Sequence, residues 1–167
     1  MSIRQLKRGI SLLLSICLLT LAGNTAIGQA RQADSTDDAK LQAYFAGHNL
    51  QPQKTASGLY YIITRPGYGP QIRKRQAVVL NYSSRLLDGT LFDSNTDPKF
   101  EHVEPLKVHA GLKEVIAGFD EGLLLLKNGA AATLYIPSAL GYGAQSGDPT
   151  IPPNAILVFD IEVKDVR

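Results

Sequence analysis

The run Leu86-Leu87-Asp88-Gly89-Thr90-Leu91-Phe92-Asp93-Ser94 restricts the fold more than any other stretch of this chain. Apolar residues flank an Asp-Gly pair, and glycine accepts the positive φ that a tight primed hairpin turn requires. Two antiparallel strands are therefore expected to meet here. Register then matters for chemistry, because successive strand residues face opposite ways. A large aromatic, Phe92, directly precedes a carboxylate, Asp93. If Phe92 turns into a hollow, Asp93 is carried to its rim.

The surrounding pattern fits short strands. Fifteen glycines and nine prolines among 167 residues argue for many turns and against a helical bundle. Residues 57–64 read as a strand, followed by a turn cluster at 66–70. Val78, Leu80, Tyr82 and Leu86 share one strand face, with Asn81, Ser83 and Arg85 on the other. After the hairpin, residues 95–105 are polar and read as a surface loop. Glu114 to Gly122 allows one or two helical turns from near Ile116, limited by two glycines. Ala132, Leu134 and Ile136 then alternate with Thr133 and Tyr135 in a strand ended by Pro137, and residues 140–153 read as loop. In the last strand Leu157, Phe159, Ile161 and Val163 point inward, with Val158, Asp160 and Glu162 outward. The layout is an α+β domain of antiparallel strands around one short helix, with length for one core plus an extension.

That extension is N-terminal. Arg4, Lys7 and Arg8 precede an apolar run from Ile10 to Leu21, and Gly28 and Ala30 stand as the −3 and −1 residues of a cleavage site. Residues 1–30 therefore read as a secretory signal peptide, too short in its apolar part for a convincing membrane span. Cleavage removes three of the 17 basic residues and none of the 15 acidic ones, taking the formal charge from +2 to −1. A nearly neutral chain without a basic block has no electrostatic footprint for nucleic acid. The expected location is secreted or periplasmic; anchoring through an uncleaved signal or a lipidated Cys17, the only cysteine, is the minor alternative. Residues 31–56 read as a polar tether and a short helix from about Asp37 to Ala46, with Leu41, Tyr44 and Phe45 as its apolar stripe and Gly47 as its stop. The helix serves as a packing appendage, with pairing of two subunits as the other reading. Residues 57–167 form the main domain.

Catalytic apparatus of the usual kinds is missing from the sequence. His48, His102 and His109 have no partners at metal-ligand spacing, so neither a metal nor a cofactor is expected. No nucleophile elbow, phosphate loop or dinucleotide fingerprint occurs. Asp120 and Glu121, adjacent on a short helix, read as solvated. What remains is a set of aromatic and aliphatic residues from separate segments: Tyr82, Phe92, Val115, Ile116, Phe119, Tyr142, Ile151 and Phe159. Any one of them alone reads as core.

Their order and spacing carry more. Tyr82 followed by Asp88-Gly89 and Phe92-Asp93-Ser94, then Glu114-Val115-Ile116 with Gly118-Phe119 and Glu121-Gly122, then Tyr142-Gly143, Ile151-Pro152-Pro153-Asn154-Ala155 and Leu157-Val158-Phe159-Asp160-Ile161-Glu162 resemble the FKBP-type peptidyl-prolyl cis-trans isomerases. The resemblance spans about Gln76 to Val166, and the helix-bearing extension is similar to that of secreted, periplasmic-type members. It implies a half-barrel antiparallel sheet wrapped on the short helix, with a shallow apolar pocket between them. It implies pocket roles for Tyr82, Phe92, Asp93, Ile116, Phe119, Tyr142 and Phe159, and substrate contacts from Val115, Ile151 and Leu106. Phe119 would floor the pocket where most members have tryptophan, while the Ile116 N–H and the Tyr142 hydroxyl would hold substrate carbonyls. Leu106 replaces a usual aromatic and Thr150 a usual aliphatic. The family's arginine partner for Asp93 is absent, with Lys99 as the candidate replacement. The expected activity is rotation of Xaa-Pro bonds in extracytoplasmic folding, on proline-containing peptides and unfolded proteins, with a macrolide as an inhibitor the fold admits. The rival is a peptide-binding chaperone module with little turnover.

Overall fold

Residues 36–167 are described by the structure, a computed structural model. The expected leader, Cys17 within it and the first residues of the tether lie outside the described residues. Around Asp88-Gly89 the hairpin forms between β4 (Ala77–Leu86) and β5 (Leu91–Ser94). Its turn is one step longer than a two-residue primed turn. Gly89 N–H donates to Leu86 O at 3.0 Å and Leu86 N–H to Thr90 O at 2.9 Å. Of residues 87–90 only Gly89 is left-handed, at φ 92°. That is the pattern of a turn closed by a glycine bulge. Asp88 Oδ1 accepts the Thr90 N–H at 2.9 Å, so the aspartate braces the turn with its side chain.

Seven strands make one antiparallel sheet: β1 (Gln53–Lys54), β2 (Tyr60–Arg65), β8 (Ala131–Ile136), β9 (Leu157–Val166), β4 and β5 in that order, with β6 (Leu106–His109) also on β4. The first half of β4, from Ala77 to Leu80, pairs with β6, while Ser83–Arg85 pair with β5. β6 escapes the sequence reading because four residues are too few for a period-2 pattern to stand out. β3 (Tyr68–Gln71) and β7 (Lys127–Asn128) form a separate pair.

Each sheet face has its own helix. On the inner face Val78, Leu80, Leu134, Ile136, Leu157, Phe159, Ile161 and Val163 are buried with Phe119 and Leu123 of α2 (Ala117–Leu123). The glycines of α2 allow this approach: a Cβ on Gly118 would lie 2.5 Å from Ile136 Cγ2, and one on Gly122 would strike Leu134 Cδ1. On the outer face, α1 (residues 36–47) lays Leu41 and Phe45 over Tyr60, Tyr135, Ile156 and Val158. Phe45 meets the Tyr60 and Tyr135 rings at 5.1 and 4.9 Å between centroids. Val158 thus points outward, as its alternation requires, yet is fully buried. The helix stops through Asn49, left-handed at φ 54°, with Leu50 N–H donating to Phe45 O at 2.9 Å, and not through Gly47.

Among the described residues two acidic ones are buried, against the expectation for one of them. Asp120 is not solvated: it accepts N–H groups from Gly111 (2.6 Å) and Lys113 (2.9 Å) and ties the bend after β6 to α2. Asp37 of α1 accepts both the N–H (2.9 Å) and the hydroxyl (2.6 Å) of Ser138.

Candidate functional site

The split pairing of β4 opens a gap between β5 and β6, and α2 passes beneath it. The hollow there has a volume of about 310 Å³. β4 contributes Tyr82, β5 Phe92 and Asp93, β6 Leu106 and β9 Phe159; the approach to α2 supplies Glu114, Val115 and Ile116, α2 itself Phe119, and the loop after β8 Tyr142. Nine of the ten residues expected at a site therefore meet at one cavity. Ile151 does not join its wall and is buried in the main core. A larger depression of about 420 Å³ lies elsewhere, but Thr64, Arg65, Thr133, Asp160 and Glu162 make it polar, and an Arg65–Glu162 ion pair (2.8 Å) sits among its lining residues. It holds none of the aromatic cluster except Tyr82.

The aromatic rings brace one another edge to face. Phe119 meets Phe159 at 5.1 Å and Tyr82 at 6.2 Å, and Phe92 meets Phe159 at 6.1 Å, with interplanar angles of 83 to 87°. Phe119 is almost completely buried, which places it at the bottom of the hollow. Tyr142 keeps 40% of its surface exposed and stands at the mouth. The backbone N–H of Ile116, the residue capping α2, has no acceptor among the described residues.

Asp93 is the one carboxylate shared by the strand hairpin and the hollow. Tyr82 donates its hydroxyl to Oδ2 at 2.7 Å, and His102 places Nε2 2.9 Å from Oδ1. A contact to a carboxylate requires a proton on that nitrogen. Lys99, the partner expected from the sequence, instead holds its amino group 4.7 Å above the Phe100 ring, and His102 takes the role. The backbone secures the same register, since Ser84 donates its hydroxyl to the Asp93 carbonyl at 2.8 Å. Burial, followed by the hydrogen bond to Asp93, pushes the Tyr82 phenol above its ordinary range, so it stays a neutral donor. The Tyr142 phenol is also raised, by burial and then by the charges of Asp93 and Asp148.

Sequence reasoning overlooked three contributors. Glu114 lines the cavity and accepts the His109 N–H at 2.8 Å, with His109 Nδ1 at 2.9 Å; its place beside Val115 and Ile116 was the available signal. Asn95 is buried and clasps the following loop, accepting the Tyr82 N–H (2.7 Å) and donating to Leu80 O (3.2 Å) and Glu104 O (3.0 Å). His102 had no sequence signal, because the loop fold alone brings it back nine positions onto Asp93.

Known proteins similar to this chain point to one family. A family model described as FKBP-type peptidyl-prolyl cis-trans isomerase matches residues 69–164. A protein of Neisseria meningitidis serogroup B named as a probable FKBP-type peptidyl-prolyl cis-trans isomerase, FkpA, is 45% identical over 114 residues, covering 65% of this chain and 38% of the relative. A protein named FK506-binding protein from the same organism is 37% identical over 109 residues, covering 65% of this chain and 96% of the relative. The crystal structure of FkpA from Escherichia coli superposes with a TM-score of 0.65 at 32% identity, over 96% of this chain and 74% of that one. The chain spans about two fifths of the length of several FkpA-type relatives that it matches. With the hairpin, the gap in the sheet and the aromatic hollow all falling within the matched residues, the chain belongs to the FKBP-type peptidyl-prolyl cis-trans isomerase family.

Proposed function

We propose that the hollow binds the proline of Xaa-Pro segments and accelerates rotation about the bond before it. The observation that carries this reading is an aromatic hollow closed by Phe119 with the carboxylate of Asp93, braced by Tyr82, at its edge. Its lining has no serine, cysteine or lysine, and rotation about an amide needs none, because no bond is made or cut. The barrier, about 18–20 kcal/mol, is the loss of amide resonance. A twisted amide has lost its charge-separated resonance form, so a hollow with little water favours it over the planar state. The prolyl ring would stand on Phe119 between Phe159, Phe92 and Tyr82, with Val115 and Leu106 as flanking contacts. The Ile116 N–H and the Tyr142 hydroxyl would hold carbonyls on either side of the rotating bond. Asp93, oriented by two donors, would act on the carbonyl carbon through its charge. Lowering the barrier by about 6 kcal/mol corresponds to roughly 10⁴-fold acceleration.

The wider role we propose is folding of extracytoplasmic proteins; the N-terminal charge and hydropathy pattern and the FkpA-type relatives support it. Among the described residues no helix is long and apolar enough to cross a membrane. A macrolide of the FK506 type would compete for the same hollow. Exchange NMR on an Ala-Leu-Pro-Phe peptide measures the activity directly. Catalysis should be evident with the purified protein and largely lost in Asp93→Ala. Uncatalysed kinetics from a folded protein that still suppresses aggregation would instead establish the chaperone module.

A further inference from the structure

We propose that two carboxylates at the mouth of the hollow, Asp93 and Glu114, make it charge-selective, so that Xaa-Pro segments with lysine or arginine beside the proline are preferred to those with aspartate or glutamate. The proposal names a substrate class for the isomerase reading and rests on it. Both residues line the same cavity, and their side chains remain 37% and 40% exposed. Each therefore meets an incoming peptide at an edge that is neither fully hydrated nor fully dry.

The partners of these carboxylates leave the charge in place. Asp93 faces the neutral Tyr82 hydroxyl and His102, with Tyr142 close enough to feel its charge. Glu114 faces only His109, through its N–H and its ring. Those two donors hold the Glu114 carboxyl below the ordinary range, the N–H contributing most, so it stays ionised. Among the described residues no lysine or arginine reaches within 4 Å of either carboxylate. Lys99 rests on Phe100, and Lys113 gives its N–H to Asp120. Asp148 adds a third negative charge that acts on Tyr142. The rest of the wall is uncharged, so nothing in it offsets this field. An acidic side chain beside the proline would be pressed toward two like charges, whereas a basic one would gain two partners.

Exchange NMR on the full chain with Ala-Lys-Pro-Phe, Ala-Glu-Pro-Phe and Ala-Leu-Pro-Phe tests this without a coupling protease. At pH 8 and low salt, kcat/KM for the lysine peptide should exceed that for the glutamate peptide about fivefold. The ratio should shrink in 1 M salt and in Glu114→Gln. A ratio of one or below, with the leucine peptide still turned over, overturns the charge selectivity and leaves the isomerase reading standing. A ratio unchanged in Glu114→Gln overturns the part given to that residue. Failure to turn over any of the three peptides overturns the isomerase reading itself.

Discussion

At the scale of single residues, Tyr82 shows how one side chain can serve both core and site. Its ring packs on Phe119 and Phe159, and its hydroxyl reaches Asp93 at 2.7 Å. A hydrogen bond to a charged group contributes about 1.5–3 kcal/mol, and its loss here would free one oxygen of Asp93 to swing toward water. Tyr82→Phe keeps the ring and removes only the donor. It should therefore cut kcat/KM about tenfold, with most of the change in kcat, because substrate still finds the aromatic walls. Wild-type kcat in a folded Tyr82→Phe protein would show that His102 alone orients the carboxylate. The same scale marks what the sequence leaves hidden. Asp120 and Glu121 are neighbours of equal charge, yet Asp120 is buried on two backbone N–H groups while Glu121 meets Ser57 at the surface, with its oxygen 2.7 Å from that hydroxyl. Those N–H groups belong to a bend whose shape no local pattern encodes.

At the scale of elements, alternation and turn chemistry made the long strands legible. The inward residues of β9 and β8 are the buried ones, and Phe92 falls inside as the hairpin register requires. The short β6 and the burial of the outer sheet face were not legible, since the first lacks length and the second depends on where α1 docks. α2 supplies a sharper case. Its two glycines limit the helix by propensity, and Gly→Ala at an exposed helix site would gain about 1 kcal/mol. At Gly122 the added methyl would run into Leu134, which is fully buried and cannot withdraw. Overpacking of this kind costs about 1–3 kcal/mol. Gly122→Ala should therefore lower the urea midpoint and, by lifting Phe119 off its seat, also lower activity. A raised midpoint would mean that α2 has room to slide.

At the scale of the whole molecule, one sheet separates two apolar clusters, and tyrosines with raised phenols stand against both. Tyr82 and Tyr142 border the hollow on the inner side, while Tyr135 lies under α1 on the outer side. Burial is the largest cause raising all three phenols; Asp93 adds to it for Tyr82 and Tyr142, and Tyr44 for Tyr135. The sign of the consequence follows from linkage. Between the ordinary phenol value of about 10 and the raised folded values, the unfolded chain has lost protons that the folded chain keeps. The stabilisation is thus complete below about pH 10 and is lost as pH rises beyond it. Because the three tyrosines lie on both faces of the sheet, the loss should strike the fold as a unit and not the N-terminal helix alone. Absorbance at 295 nm followed with circular dichroism on raising the pH checks this: of the seven tyrosines, Tyr82 and Tyr135 should ionise only as the fold is lost. Ionisation of all seven in a protein that keeps its circular dichroism would contradict the shielding of the Tyr82 and Tyr135 phenols from water.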